Sequence, residues 1–111
     1  MIFNMTLQKE CFDLIKSGKK EYEIRLYDEK MQQVSLKDTI IFSLQDKTES
    51  VSCVVKETLF APNFKTLLNF LPIEKVGFNS VEQALKKYYE IYSVEQEKLY
   101  GVIAFKFKLK K

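Results

Sequence analysis

The sequence predicts a small α+β domain in which mostly antiparallel strands form a curled sheet with flanking helices. Residues 21–26 and 102–109 alternate apolar and polar side chains, as half-buried strands do. Residues 39–44 and 50–60 are strand-like segments joined by a short polar turn, which is typical of an antiparallel hairpin. Helical patterns occupy the connections, and five or so short twisted strands of this kind tend to curl into a small barrel.

The N-terminal third predicts a strand, a helix and a second strand. Residues 1–5 are mostly apolar and strand-like, and Thr6 is in position to cap a helix over residues 7–17. Gly18 would end that helix by adopting the left-handed conformation. In the strand over residues 21–26, one side carries Tyr22, Ile24 and Leu26 and the other carries Glu21, Glu23 and Arg25.

The middle of the chain predicts one irregular segment and two helices. Residues 27–37 are polar and irregular, with room for a single helical turn. Residues 64–70 form a short helical pattern that Pro72 ends. The most regular helical pattern covers residues 80–92, and Ser80 with Gln83 has the spacing of a capping box.

The C-terminal segment predicts a short helix and a final strand. Ser93 and Gln96 repeat the capping-box spacing, and the helix would end near Gly101. In the strand over residues 102–109, aromatic and apolar side chains alternate with lysines. These lysines favour a solvated edge strand, because charge on an edge blocks strand-to-strand aggregation, over a basic stripe for nucleic acid.

Composition restricts the classes of function. The 111 residues predict one domain over 1–111, and a net charge of +3 is too small to indicate nucleic-acid binding alone. The chain has no histidine, which excludes Ser-His and Cys-His nucleophiles and most zinc sites, so no metal or cofactor is expected. Cys11 and Cys53 fit reduced, buried thiols. With no signal-peptide pattern and no apolar run near ~20 residues, a cytoplasmic protein without membrane contact is expected.

The junction over residues 18–25 is the candidate functional site, because it concentrates charge where backbone geometry is tightly set. Lys20 is suited to holding a phosphate or serving as a base. Glu23 and Arg25 lie two apart and therefore share a strand face. Lys20 and Glu23 are three apart, so they form one site only if Lys20 lies in the turn before the strand or its stem curls around an edge.

The junction fits the pattern Gly-x-Lys-x-x-Glu-x-Arg and resembles the signature of the ASCH (activating signal cointegrator homology) domain family. Other segments agree with the family in order: the preceding helix, the residues around Ile40, the segment from Leu71 to Phe78, the helix with Tyr88 and Tyr89, and Tyr100-Gly101-Val102 before the last strand. The resemblance implies a PUA-like β-barrel with its signature in a cleft that binds RNA.

Some relatives in this family are hydrolases, and one branch deacetylates 4-acetylcytidine with a lysine, a threonine and a glutamate. By this resemblance the catalytic lysine corresponds to Lys20, while Glu23 stands where the branch has threonine, and Glu74 is the candidate glutamate. Lys37-Asp38 stands where the family usually has Gly-Asp, which predicts a different turn type there.

The sequence therefore predicts an RNA- or nucleotide-binding module whose cleft is lined by Lys20, Glu23 and Arg25. In this hypothesis Lys20 or Arg25 meets phosphate and Glu23 accepts hydrogen bonds from a base or ribose. Tyr88, Tyr89 and Tyr92 fit core and rim positions better than stacking surfaces, and in this hypothesis one of them, or Phe64, stacks on a base. The alternative is a small hydrolase of an acylated nucleoside or of RNA that uses Lys20 with Glu23 or Glu74. A protein-interaction domain is a third, weaker alternative, and the sequence leaves the oligomeric state open.

Overall fold

A computed structural model describes residues 1–110 of the chain, and its centre is a single five-stranded sheet. The strand order is β1-β3-β4-β5-β2. The strands are β1 (Ile2–Leu7), β2 (Tyr22–Leu26), β3 (Thr39–Leu44), β4 (Ser50–Ala61) and β5 (Val102–Leu109). The helices are α1 (Lys9–Lys16), α2 (Phe64–Phe70), α3 (Ile73–Val76), α4 (Val81–Ile91) and α5 (Val94–Tyr100), with a 3-10 turn at Met31–Gln33.

The sheet is mixed but mostly antiparallel, and it curls into a half-barrel whose two ends are β1 and β2. Only β1 and β3 pair in parallel, while β3–β4, β4–β5 and β5–β2 are antiparallel. A bulge between Val55 and Glu57 interrupts the long β4 strand, and bulges of this kind bend a strand and increase its twist. The predicted α+β class with a barrel-like, mostly antiparallel sheet is confirmed.

Two apolar cores form on opposite faces of the sheet. The first residues of β5 are therefore buried on both faces. Ile103, Phe105 and Phe107 pack inside the half-barrel with α1 and β3. Val102 and Ala104 face the other way, against a cluster from α2, α3 and α4. From α2, Phe64, Leu67 and Leu68 are buried in this cluster, and so is Leu71 directly after the helix.

The caps of the later helices follow the local sequence. The Ser80 hydroxyl accepts a hydrogen bond from the Gln83 amide, and Ser93 with Gln96 forms a complete capping box. Thr6 was the wrong cap for α1, because β1 remains extended to Leu7 in register with β3. Gln8 therefore precedes α1, without a capping hydrogen bond from its side chain.

The last strand is not an edge, and that prediction was wrong. β5 pairs with β4 on one side and with β2 on the other. Its lysines therefore do not guard an unpaired backbone; the Lys106 ammonium instead lies 5.9 Å from the centre of the Tyr22 ring. Period-two alternation identifies a strand but not its position in the sheet, since both edge and central strands alternate.

The turn before β3 keeps a left-handed residue, so the prediction of another turn type was also wrong. Lys37 has φ +73°, a conformation that costs a non-glycine residue about 1–2 kcal/mol. Hydrogen bonds hold the turn on both sides, from the Lys37 amide to the Val55 carbonyl and from the Asp38 amide to the Ser35 carbonyl. Within residues 1–110, no helix has the length and apolar character needed to cross a membrane.

Candidate functional site

A cavity of about 250 Å³ lies between β2, the end of β1 and α4. It therefore occupies the open side of the half-barrel, where the two outermost strands of the sheet do not pair with each other in the described residues. The residues that line it are Thr6, Leu7, Gln8, Cys11, Lys20, Glu23, Ile24, Arg25, Gln45, Phe78, Lys87, Tyr88, Ile91 and Tyr92.

The end of α1 positions Lys20 in the turn before β2. Gly18 has φ +84°, as predicted for a glycine that ends a helix. Its amide donates to the Ile15 carbonyl, and the Lys19 amide donates to the Leu14 carbonyl. This paired pattern reverses the chain direction directly after the helix. Lys20 therefore precedes β2. The direction of its side chain does not follow the alternation of side chains along that strand.

The Lys20 side chain is buried and held at its ammonium group. Lys20 is 3 % exposed, and its Nζ donates to the Val76 carbonyl at 2.7 Å and lies 3.1 Å from Glu23 Oε1. Gly77, with φ +102°, lies against the stem of this lysine, since a Cβ built there would be 3.3 Å from Lys20 Cδ. An ammonium has three N–H donors, and these two contacts account for two of them.

Glu23 connects the two cations of the site. Its Oε1 faces Lys20, while its Oε2 accepts from Arg25 Nε at 2.9 Å and lies 2.8 Å from an Arg25 terminal nitrogen. Glu23 and Arg25 share a face of β2, as predicted. The Glu23 side chain is only 8 % exposed, whereas Arg25 keeps 26 % of its side chain exposed. The guanidinium therefore forms the part of this group that a ligand reaches first.

The electrostatics of the group favour the charged forms of Glu23 and Arg25. Burial alone would raise the pKa of Glu23, but Lys20 and Arg25 outweigh it and hold the pKa of this carboxyl below its usual value. Burial likewise opposes the charge on Arg25, while the adjacent Glu23 carboxylate raises the pKa of the guanidinium. Two cations and one anion leave Lys20, Glu23 and Arg25 with a net charge of +1.

The rest of the lining adds one more positive charge and an aromatic wall. Lys87 contributes the charge, and Phe78, Tyr88 and Tyr92 contribute the rings. Burial raises the pKa of Tyr88 well above its ordinary value, so its phenol stays neutral at physiological pH. The cavity therefore combines a positive wall for an anion with rings that suit a planar group.

The predicted site residues are only partly brought together. Lys20, Glu23 and Arg25 line one cavity, whereas Glu74 lies exposed on α3 and is not among the lining residues. Of the aromatic residues considered for stacking, Tyr88 and Tyr92 line the cavity. Phe64 is buried beneath them, with ring centroids 4.8 and 5.6 Å away, and the Tyr89 hydroxyl bonds the carboxylate of Glu97.

Sequence reasoning missed several lining residues. Thr6, Gln8 and Gln45 come from the ends of strands and from a turn, and Lys87 comes from α4. None belongs to the charged junction, and no local pattern distinguishes them from ordinary surface residues. Only the approach of α4 and β1 to β2 makes them part of the site.

The fold and site together define a half-barrel domain of the PUA-like kind with a charged cleft at its open side. The ASCH domain profile matches residues 5–111, and the chain belongs to the ASCH domain family. No curated protein gives a significant match.

Solved structures share this fold. The hypothetical protein PH0355 superposes with a TM-score of 0.88 at 38 % identity, covering 99 % of this chain and 100 % of its own. Protein PF0455 from Pyrococcus furiosus gives a TM-score of 0.78 at 34 % identity, covering 100 % and 99 %. The ASCH protein from Zymomonas mobilis shares the fold at 20 % identity, with a TM-score of 0.67 over 96 % of this chain and 66 % of its own.

Proposed function

We propose that residues 1–111 act as one domain that binds RNA or nucleotides in the cavity beside β2. The observation that carries this proposal is the group formed by Lys20, Glu23 and Arg25. Lys20 and Glu23 are buried and Arg25 is partly exposed, the three formal charges sum to +1, and the group lies in a cavity with an aromatic wall. Family membership is consistent with an RNA ligand.

The chemistry of the cavity matches a nucleotide in three respects. The exposed part of the Arg25 guanidinium is suited to phosphate, because it offers several N–H donors in a fixed plane. Tyr88 and Tyr92 offer ring surface against which a base can lie. The volume of about 250 Å³ is smaller than the ~300–1,000 Å³ typical of sites for drug-sized ligands, so a single base or nucleoside unit is the natural occupant.

Hydrolysis ranks second as a function for the same cavity. Lys20 donates to the Val76 carbonyl and faces the Glu23 carboxylate, and both contacts favour an ammonium that holds an anion over a base that removes a proton. Glu74 lies outside the cavity, and threonine is absent at position 23. The group therefore lacks two of the three side chains that the deacetylase branch uses.

The binding proposal is tested by titrating labelled single-stranded RNA oligonucleotides at two salt concentrations. Arg25→Ala and Lys20→Ala are expected to weaken binding, and the Arg25 variant should flatten the dependence of log K on log salt by roughly 0.7 for each phosphate that the guanidinium neutralises. Lys86→Ala is the matched control, since Lys86 is an exposed cation on α4 that does not line the cavity. Equal RNA affinity of the wild type and the three variants would show that RNA does not bind in this cavity.

A further inference from the structure

Glu97 is a buried acid that does not line the cavity beside β2. It belongs to α5 and is only 5 % exposed. Burying a carboxyl group is costly unless hydrogen bonds replace the water that it loses. Within residues 1–110, no lysine or arginine forms an ion pair with this side chain. The polar contacts that hold the Glu97 carboxyl group are therefore hydrogen bonds.

These hydrogen bonds join the start of α2 to α4. Glu97 Oε2 accepts a hydrogen bond of 2.8 Å from the Phe64 amide, and Phe64 is the first residue of α2. The Tyr89 hydroxyl on α4 lies 2.9 Å from Glu97 Oε1 and 2.8 Å from Oε2. The Tyr89 ring also meets the Phe64 ring at a right angle, with the centroids 6.0 Å apart. Glu97 therefore fixes Phe64 relative to α4 through both of its partners.

The Phe64 ring connects this arrangement to the lining of the cavity. The ring stacks on Tyr88 with the centroids 4.8 Å apart and the planes within 3° of parallel. It also stacks on Tyr92, with the centroids 5.6 Å apart and an angle of 19° between the planes. Tyr88 and Tyr92 are the two tyrosines that line the cavity. Both therefore rest on one buried ring, and Glu97 holds the backbone amide of that residue.

From these contacts we propose that Glu97 is a positioning residue for ligand binding. It holds Phe64 so that Tyr88 and Tyr92 present their rings to a base at a fixed distance from Arg25. The contact with the base therefore depends on Glu97, whereas the contact with phosphate, which Arg25 makes from β2, does not. This inference rests on the proposed function and adds a residue that acts on the ligand without touching it.

The first experiment separates the base of the ligand from its phosphate. Isothermal titration measures the affinity of the four ribonucleoside 5′-monophosphates and of ribose 5-phosphate, which lacks the base. For the wild type, the base is expected to raise the affinity about tenfold, as stacking on an aromatic side chain typically does. Monophosphates that bind no better than ribose 5-phosphate would overturn the role of Glu97 and leave the phosphate site in place. If none of the five ligands binds, the proposed function itself fails.

The second experiment repeats these titrations with variants of Glu97. Glu97→Ala removes both hydrogen bonds and should lose most of the gain from the base, while its affinity for ribose 5-phosphate stays unchanged. Glu97→Gln keeps an oxygen that accepts from the Phe64 amide, so most of the gain should return. Glu90→Ala, at an exposed position of α4 that does not line the cavity, is the matched control and should change neither affinity. A purely structural loss would instead weaken both classes of ligand, because it lowers the folded fraction that circular dichroism measures.

Tyr89→Phe tests the same arrangement without opening a space in the core, because it removes only the hydroxyl group that contacts Glu97. It should lose part of the gain from the base and keep the affinity for ribose 5-phosphate. In NMR titrations with monophosphates, the ring protons of Tyr88 and Tyr92 should shift in the wild type and shift less in this variant. A folded Glu97→Ala protein that keeps the full gain would overturn the inference. If that protein does not fold, an undiminished gain in Tyr89→Phe would overturn it.

Discussion

Lys20 Nζ lies 3.1 Å from Glu23 Oε1, although residues three apart on an ideal strand point to opposite faces. The contact forms because Lys20 is not part of β2: it lies in the turn that Gly18 initiates, and its ammonium is fixed by the Val76 carbonyl. Glu23 thus joins a cation in the turn to a cation on the strand. We expect both the stability and the chemistry of the site to depend on these two contacts.

Loss of the Glu23 charge should destabilise the fold. Glu23→Gln leaves Lys20 and much of Arg25 buried without an anion, and removing one partner of a buried pair typically costs about 3–5 kcal/mol. Because Arg25 is partly exposed, we expect about 3 kcal/mol in the free energy of unfolding, measured by urea denaturation. Glu29→Gln, at an exposed position before the 3-10 turn, is the control and should change stability by less than ~0.5 kcal/mol.

The contribution of Glu23 should depend on pH in a defined direction. Burial opposes its charge, but Lys20 and Arg25 hold the pKa of the folded state below the ordinary value of 4.5. A lowered pKa stabilises the fold fully above the pKa of the unfolded chain, and this stabilisation is lost as pH falls through the folded pKa.

The stability difference between wild type and Glu23→Gln should therefore be constant near neutral pH and shrink below about pH 4.5. Urea denaturation at a series of pH values between neutral and strongly acidic measures this difference. A difference that grows on acidification would mean that the carboxyl is not ionised in the folded protein.

Gly77 should be required for the position of Lys20. Gly77→Ala introduces a Cβ 3.3 Å from Lys20 Cδ and strains a residue with φ +102°. Gly18→Ala strains a similar backbone, with φ +84°, but its Cβ would have no neighbour within 4 Å. Each backbone penalty should be about 1–2 kcal/mol.

Only Gly77→Ala should also weaken RNA binding, because it alone displaces the stem of Lys20. Fluorescence anisotropy with a labelled oligonucleotide, under conditions in which both variants are folded, compares the two. Equal binding by both variants would mean that the Lys20 stem adjusts without moving its ammonium.

Lys37→Gly should stabilise the protein. Lys37 has φ +73°, a conformation that costs a residue with a side chain about 1–2 kcal/mol. Glycine removes this strain, but its greater freedom in the unfolded chain offsets part of the stabilisation. The expected net gain is about 0.5–1 kcal/mol, seen as a higher midpoint in thermal or urea unfolding. Lys37→Ala separates this effect from the loss of charge, since it keeps the strain and should give no gain.

The wild-type protein should show little or no hydrolysis of 4-acetylcytidine, since Glu23 and the Val76 carbonyl keep the Lys20 ammonium engaged. Glu23→Thr restores the threonine of the deacetylase branch and frees Lys20 from its carboxylate, so turnover should rise in that variant if it is folded. Chromatography of released cytidine provides the measurement. Rapid turnover by the wild type that disappears in Lys20→Ala would reverse the order of the two proposed functions.

Local sequence is enough to predict several helix ends and the strand that carries the site, although not the start of α1. Gly18 ends α1, Ser80 and Ser93 begin α4 and α5, and the alternation around Glu23 and Arg25 predicts β2. These features depend on backbone conformation and hydrogen bonds within a few residues, so their spacing is visible in the chain.

The burial of the site residues and their distant neighbours depend on tertiary packing. β5 alternates like an edge strand but lies between β4 and β2. Glu23 looks like a surface residue but is buried, in a cavity that α4 and the end of β1 also line. Lys20 meets Val76, 56 residues further along the chain. Side chains alternate in the same way along an edge strand and along a central strand of the sheet. The local sequence also does not indicate which distant element will pack on a given face. Lys20, Glu23 and Arg25 line a cavity only because α3, α4 and β1 pack nearby.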